Sequence, residues 1–167
     1  MKTQRGDIVV QKNRRTNGSE ENGDTIDYGP LADWVGFNLR MAQAASFHGF
    51  AKLAEEIGTR PGRFATLMLI GCNPGISQTA LSRANGRDKS TLTPVLNDLA
   101  RRGLIRRERT TNDQRTYRLT LTPAGHSLLR QLTQCARRHE RTLDRIIGSR
   151  DQAAFVRILK RIAALDA

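Results

Sequence analysis

Residues 88–119 read Asp-Lys-Ser-Thr-Leu-Thr-Pro-Val-Leu-Asn-Asp-Leu-Ala-Arg-Arg-Gly-Leu-Ile-Arg-Arg-Glu-Arg-Thr-Thr-Asn-Asp-Gln-Arg-Thr-Tyr-Arg-Leu. In the first half Leu92, Val95, Leu96 and Leu99 recur at helical spacing, while Ser90, Thr91, Pro94 and Asn97 fall on another face. Asp88 is placed to cap this helix and Gly103 to stop it. The second half alternates with a period of two around a polar stretch, Thr111 to Gln114, which predicts a hairpin with strands at 105–110 and 116–121. A small-polar helix followed by an arginine-bearing hairpin is what a winged helix-turn-helix needs to read DNA. The helix enters the major groove, and the hairpin tip reaches the next groove or the backbone.

Upstream, Ser77 is expected to cap a short helix, Gln78–Ala84, that Asn85-Gly86 ends. Two short helices joined by a tight glycine-containing turn complete the helix-turn-helix signature. Before them, Thr59 is expected to cap a helix with Pro61 in its first turn. Phe64, Leu67, Met68 and Ile70 supply its buried side, and Asn73-Pro74-Gly75 stops it. A first helix is expected from Leu31 to about Phe47, with 50–57 as a short continuation that Gly58 breaks. Its apolar residues cover most of its circumference, so it needs covering on several sides.

Downstream, Thr122-Pro123 restarts a helix that runs to about Ile147. Leu128, Leu132, Cys135, His139, Leu143 and Ile146 form a coiled-coil-like seam along it. At 1.5 Å per residue the helix would be roughly 35–40 Å long, too long for one small domain to cover. Ser149 with Gln152 reads as a capping box for a last helix, striped by Phe155, Ile158, Leu159, Ile162 and Leu165. The expected fold is therefore mostly α with a small β-hairpin wing: a winged helix-turn-helix between N- and C-terminal dimerisation helices, assembled as a homodimer. The expected division is a flexible arm at 1–29, a first dimerisation helix region at 30–58, the DNA-binding lobe at 59–121 and C-terminal dimerisation helices at 122–167. The arm reads compositionally as a disordered tail, with packing on a partner subunit or contact with phosphate as its functional alternatives.

The 167 residues are enough for one domain with a real core. Lys and Arg number 28 against 16 Asp and Glu, a formal charge of +12, which favours a polyanionic partner. The charge is concentrated, with Arg101, Arg102, Arg106, Arg107, Arg109, Arg115 and Arg118 in or beside the reading head. Two cysteines, Cys72 and Cys135, make no disulfide framework, and no segment reads as a signal peptide or bilayer span. A cytoplasmic protein is expected. No nucleophile elbow, phosphate loop or metalloprotease motif occurs, so neither enzyme activity nor a cofactor is expected.

The helix at 88–101, its Arg-Arg-Gly-Leu-Ile exit, the Asp113-Gln114-Arg115 tip and the run Leu119-Thr120-Leu121-Thr122-Pro123-Ala124-Gly125 resemble the MarR family of bacterial transcription regulators over roughly residues 31–165. The resemblance implies double-stranded DNA with a pseudo-palindromic operator as partner. It also implies repression relieved by a small, often aromatic, anionic effector held between the dimerisation helices and the lobe. It implies that Arg115 enters the minor groove with Asp113 orienting it, which suits the negative potential there. Thr-Leu-Thr-Pro also resembles the organic-hydroperoxide-sensing branch. That branch uses a cysteine in its first helix, and residues 31–48 contain none.

For DNA contact the residues singled out are Lys89, Ser90, Thr91, Thr93, Pro94, Asn97, Arg109, Asp113 and Arg115. Hydroxyls and amides reach base edges, the threonine methyl suits thymine, and Lys89 suits phosphate. For the effector they are Trp34, Phe37, Arg40, Met41, His48, Phe64 and Met68, whose rings and thioethers suit an aromatic group while Arg40 or His48 pairs its anion. Plain core or dimer interface is the competing reading of the apolar members. An aromatic acid, or its coenzyme A thioester, is the expected effector. Cys72 reads as a core filler, and Cys135 as buried on the seam with basic neighbours. A redox-sensing regulator and a dimeric interaction protein without specific DNA binding are the alternatives. Cys135 and His139, four apart, are too few for a metal site.

Overall fold

The computed structural model describes residues 26–86, 88–109 and 117–165. A 3-10 turn, Gly29–Asp33, leads into helix α1, Val35–Glu55. A second 3-10 turn, Pro61–Arg63, leads into α2, Phe64–Cys72. Strand β1, Ile76–Ser77, is followed by α3, Gln78–Ala84, and α4, Lys89–Arg101. Strands β2, Ile105–Arg109, and β3, Tyr117–Leu121, precede the long α5, Pro123–Ile147, and α6, Gln152–Ala163. The fold is mostly helical with a small antiparallel sheet, a winged helix-turn-helix.

The sheet order is β1-β3-β2, with Ile105 opposite Leu121 and Arg109 opposite Tyr117 on one side of β3, and Ile76 opposite Leu119 on the other. The hairpin strands lie within the expected 105–110 and 116–121. The short β1, which ties the N-terminal end of the helix-turn-helix to the wing, is an addition to the sequence reading. Leu67, Ile70, Leu81, Leu92, Leu96, Leu99 and Leu119 are fully buried together, so α2, α3, α4 and the sheet share one core. Leu132 of α5 and Ala54 of α1 close it from the scaffold side.

Three of the expected capping residues, Ser77, Asp88 and Thr122, are where the sequence places them. The Ala80 amide donates to Ser77 Oγ at 3.2 Å, the Thr91 amide to Asp88 Oδ1 at 2.7 Å, and the Gly125 amide to Thr122 Oγ1 at 3.0 Å. Gly103 stops α4 in the left-handed region, φ 66°, and frees the chain to turn into β2. Gly125 has a different reason to be glycine: a Cβ there would land on the Leu104 carbonyl oxygen, where α5 leaves the sheet.

Four expectations need correction. The first helix starts at Val35, after a 3-10 turn, and runs unbroken to Glu55 instead of stopping near Phe47, because nothing between interrupts the helical hydrogen bonds. Thr59 is not a helix cap; it is buried, and its hydroxyl accepts from Arg63 Nη1 at 3.5 Å. Ser149 and Gln152 form no capping box, since the cap position of α6 is Asp151 and Gln152 Nε2 donates instead to Asp144 Oδ1 at 2.8 Å. Cys72 is exposed, not core. Part of the apolar circumference at the start of α1 is left open within the chain, as cover shared with a second subunit would require: Trp34 at its cap is 60% and Val35 72% exposed. Cys135 is buried as read, its Sγ donating to the Leu53 carbonyl at 3.3 Å. The expected arm at 1–29 lies almost entirely outside the described residues.

Candidate nucleic-acid interface and effector cleft

Burial of Leu92, Leu96 and Leu99 fixes which way α4 faces. Lys89, Ser90, Thr91, Thr93, Pro94 and Asn97 are all exposed on its outer side. Two of these side chains are already engaged. Ser90 Oγ donates to Asp88 Oδ1 at 2.6 Å, which together with the Thr91 amide holds the Asp88 carboxyl down from 3.8 to about 2. Thr93 Oγ1 donates to the Lys89 carbonyl at 2.7 Å and accepts from Gln78 Nε2 at 2.8 Å. The threonine therefore locks α3 to α4 and leaves its methyl group outward. Asn97 has no protein hydrogen-bond partner among the described residues, so its whole amide is available to a base edge.

Helix α4 runs through Pro94 as one element. The Ser90 carbonyl, four residues earlier, loses its helical donor there. In the wing, the Arg109 guanidinium sits 5.9 Å from the Tyr117 ring centroid, across the β2–β3 pair. Asp113 and Arg115 lie outside the described residues.

The residues expected to hold an effector do not line one cleft within the chain, although Arg40 and Phe37 meet. Trp34 and Met41 are exposed on α1, the Arg40 guanidinium lies 5.3 Å from the Phe37 ring centroid, and His48 is exposed. Phe37 pairs with Tyr28 at 5.4 Å. Met68 Sδ accepts from Cys72 Sγ at 3.8 Å.

A different concavity opens between α1, the start of α2 and α5. It has a volume of about 250 Å³ and is lined by Gln43, Ser46, Phe47, Phe50, Phe64, Ala136, His139 and Glu140. Only Phe64 was among the residues singled out. Phe50 packs against Phe64 at 5.5 Å and against the His139 ring at 6.0 Å. Ser46 Oγ and His139 Nε2 share a hydrogen bond of 2.9 Å. Gly49 lies against this pair: a Cβ there would come within 3.2 Å of His139 Cε1, so the ring would have to give slightly. Reading α1 as two pieces hid the site, because Gln43, Ser46, Phe47 and Phe50 share one face only if the helix is continuous.

Among the described residues no three His, Cys, Asp or Glu side chains come together as metal ligands. Cys135 and His139 are instead occupied separately, by the Leu53 carbonyl and by Ser46. No described helix is long and apolar enough to cross a membrane.

Residues 59–117 match the profile of the MarR family. The chain is 33% identical over 156 residues to a protein assigned to transcriptional regulation of the hcr operon in Thauera aromatica, covering 92% of this chain and 94% of that one. Its fold is similar to that of the transcriptional repressor CouR bound to a 23-mer DNA duplex, with a TM-score of 0.76, 30% identity, and coverage of 83% of this chain and 98% of that one. CouR has also been solved with p-coumaroyl-CoA, at 28% identity and a TM-score of 0.76 over 84% of this chain and 99% of that one. The PcaV regulator of Streptomyces coelicolor, in complex with its natural ligand, is similar at a TM-score of 0.76 and 27% identity, over 85% of this chain and all of that one.

Proposed function

This chain belongs to the MarR family of transcription regulators, and on that premise we propose that it is a homodimeric repressor released from its operator by a small aromatic effector. The observation that carries the reading is the position of Phe64. It is the first residue of α2, the helix that opens the DNA-reading lobe, and it is also a wall of the cleft. A ring pushed between Phe50 and Phe64 moves the lobe relative to α1 and α5. Effector binding is then coupled to the placement of α4, as a shift between DNA-fitting and non-fitting geometries.

The cleft volume of about 250 Å³ lies just under the ~300–1,000 Å³ usual for ligand sites and suits a single ring. Among the described residues no arginine or lysine lines it; its polar groups are Gln43, Ser46, His139 and Glu140. A ring bearing a hydroxyl or carboxyl group would hydrogen-bond the Ser46–His139 pair, and a coenzyme A thioester would leave its phosphates outside. The solved complex of CouR with p-coumaroyl-CoA supports an aromatic effector or its thioester, and that of PcaV with its natural ligand supports a small-molecule effector.

On this reading Lys89, Thr91, Thr93, Pro94 and Asn97 face the major groove, while Arg109 and Arg115 serve the wing. The test is a titration of DNA from the chain's own upstream region, with and without aromatic acids, phenols and their coenzyme A thioesters. One compound should release the wild type and leave His139→Ala on the DNA at the same concentration. A His139→Ala protein that still responds normally would exclude the cleft as the effector site.

A further inference from the structure

Helix α4 has a second polar flank, turned toward the start of α2. Arg63 Nη2 lies 2.6 Å from Asp98 Oδ2, Arg101 Nη2 donates to Asp98 Oδ1 at 2.9 Å, and Arg102 Nε stands 3.4 Å from the same oxygen. One carboxylate is thus shared by three guanidinium groups. With Arg60 they line an open cavity of about 500 Å³, walled on its apolar side by Pro94 and Val95. Four arginines against one aspartate leave a formal charge of +3 around it.

Ion pairing alone does not account for this arrangement, because a fold that needed only a clasp between α2 and α4 would use Arg63 and Asp98. Burial lowers the pKa of Arg63, and Arg102 and Arg60 lower it further. Burial alone would raise Asp98, but the Arg101 hydrogen bond and the charges of Arg63, Arg102 and Arg101 hold it below the ordinary carboxylate range. Cationic groups are gathered here against their mutual repulsion. Each guanidinium carries five donors in a planar fork that matches phosphate oxygens, and the bonds to Asp98 use only part of that supply.

We propose that this arginine cradle is a phosphate site that grips the operator backbone on the side of the groove opposite α3. A helix lying in the major groove has a phosphate wall on each flank. The α3 side of α4 presents Gln78 bonded to Thr93; the other side presents Arg60, Arg101 and Arg102, with Asp98 orienting the forks. Phosphate contacts of this kind set register and orientation and carry no base preference. The proposal rests on the reading that α4 enters the groove.

The experiment compares the wild type, Arg60→Gln/Arg102→Gln and Asn97→Ala on the upstream duplex and a scrambled duplex over a range of KCl concentrations. Both arginines are exposed, so the double variant should melt with the wild type. Its salt slope, log K against log [KCl], should fall in magnitude by about 4 for the dimer, about 1 for each of the two arginines in each chain, equally on both duplexes. Asn97→Ala should lose operator preference and keep its slope. An unchanged slope in the double variant, beside lost preference in Asn97→Ala, would overturn the cradle while the groove reading stands. If the wild type itself shows no operator preference and a shallow slope, both fall. If the slope is unchanged but pyrophosphate raises the melting temperature of the wild type and not of the double variant, the cradle holds a free phosphate compound and the backbone assignment is wrong.

Discussion

The DNA-reading lobe and the helical scaffold around it differ in how far one chain completes them. In the lobe Leu81, Leu92, Leu96, Leu99 and Leu119 are fully buried, and α3 and α4 each begin with a side-chain cap. In the scaffold Trp34, Val35, Ile146, Phe155, Ile158 and Leu165 are exposed, although the same spacing rules place them on apolar stripes. Large apolar residues scattered singly on a surface need no explanation, but stripes on α1, α5 and α6 together do. The lobe closes a core of its own, whereas the scaffold leaves apolar stripes uncovered within the chain. On our reading a second copy covers them, and the effector cleft lies where the two regions join.

The largest effect expected on this contrast comes from the lobe core. Leu96→Ala removes a fully buried side chain at the centre of α4 and should cost about 2–5 kcal/mol, read as a lowered thermal midpoint. A loss under about 1 kcal/mol would mean the lobe is not the cooperative core described. The scaffold should respond differently. Ile158→Asp removes an exposed apolar group, so the lobe should stay folded by near-ultraviolet dichroism while sedimentation shifts from dimer to monomer. The lost burial is worth about 1.5–3 kcal/mol per chain at the interface. A dimer of unchanged strength would place the interface elsewhere.

The smallest effect sharpens the picture of the α4 cap. The Asp88 carboxyl is held at about 2 in the fold against an ordinary 3.8, by the Ser90 hydroxyl first and the Thr91 amide next. A depressed folded pKa contributes stability above the unfolded value, and that contribution is lost as pH falls through the folded value. The midpoint difference between wild type and Asp88→Ala should therefore be full above about pH 4 and shrink toward pH 2. A difference that does not vary between pH 5 and pH 2 would show that the ionised carboxylate is not the cap.

Much of the lobe was legible because its signals are local. Ser77, Asp88 and Thr122 announce helix starts, Gly103 a stop, and alternation marks the two wing strands. What was not legible depends on residues far apart in sequence. Strand β1 has two residues and exists only because β3 pairs with it. Thr59 looks like a cap by position but is drawn inward by Arg63. Arg63 and Asp98, 35 positions apart, meet because the 3-10 turn before α2 comes up against α4. The cleft was harder still: Ser46 and His139 are separated by 93 residues, and a histidine on an apolar stripe read as part of the seam. Nothing local distinguishes Gly49 or Gly125 from a turn glycine, since their role is the close approach of another element.

The most direct test of a dimeric, effector-released repressor is a titration of fluorescent upstream-region duplex with the purified chain, read by anisotropy and by sedimentation of the saturated complex. The expected result is two chains per operator, a clear preference over scrambled duplex, and release by a single-ring aromatic compound or its thioester. Saturation at one chain per duplex with no preference between sequences would contradict it.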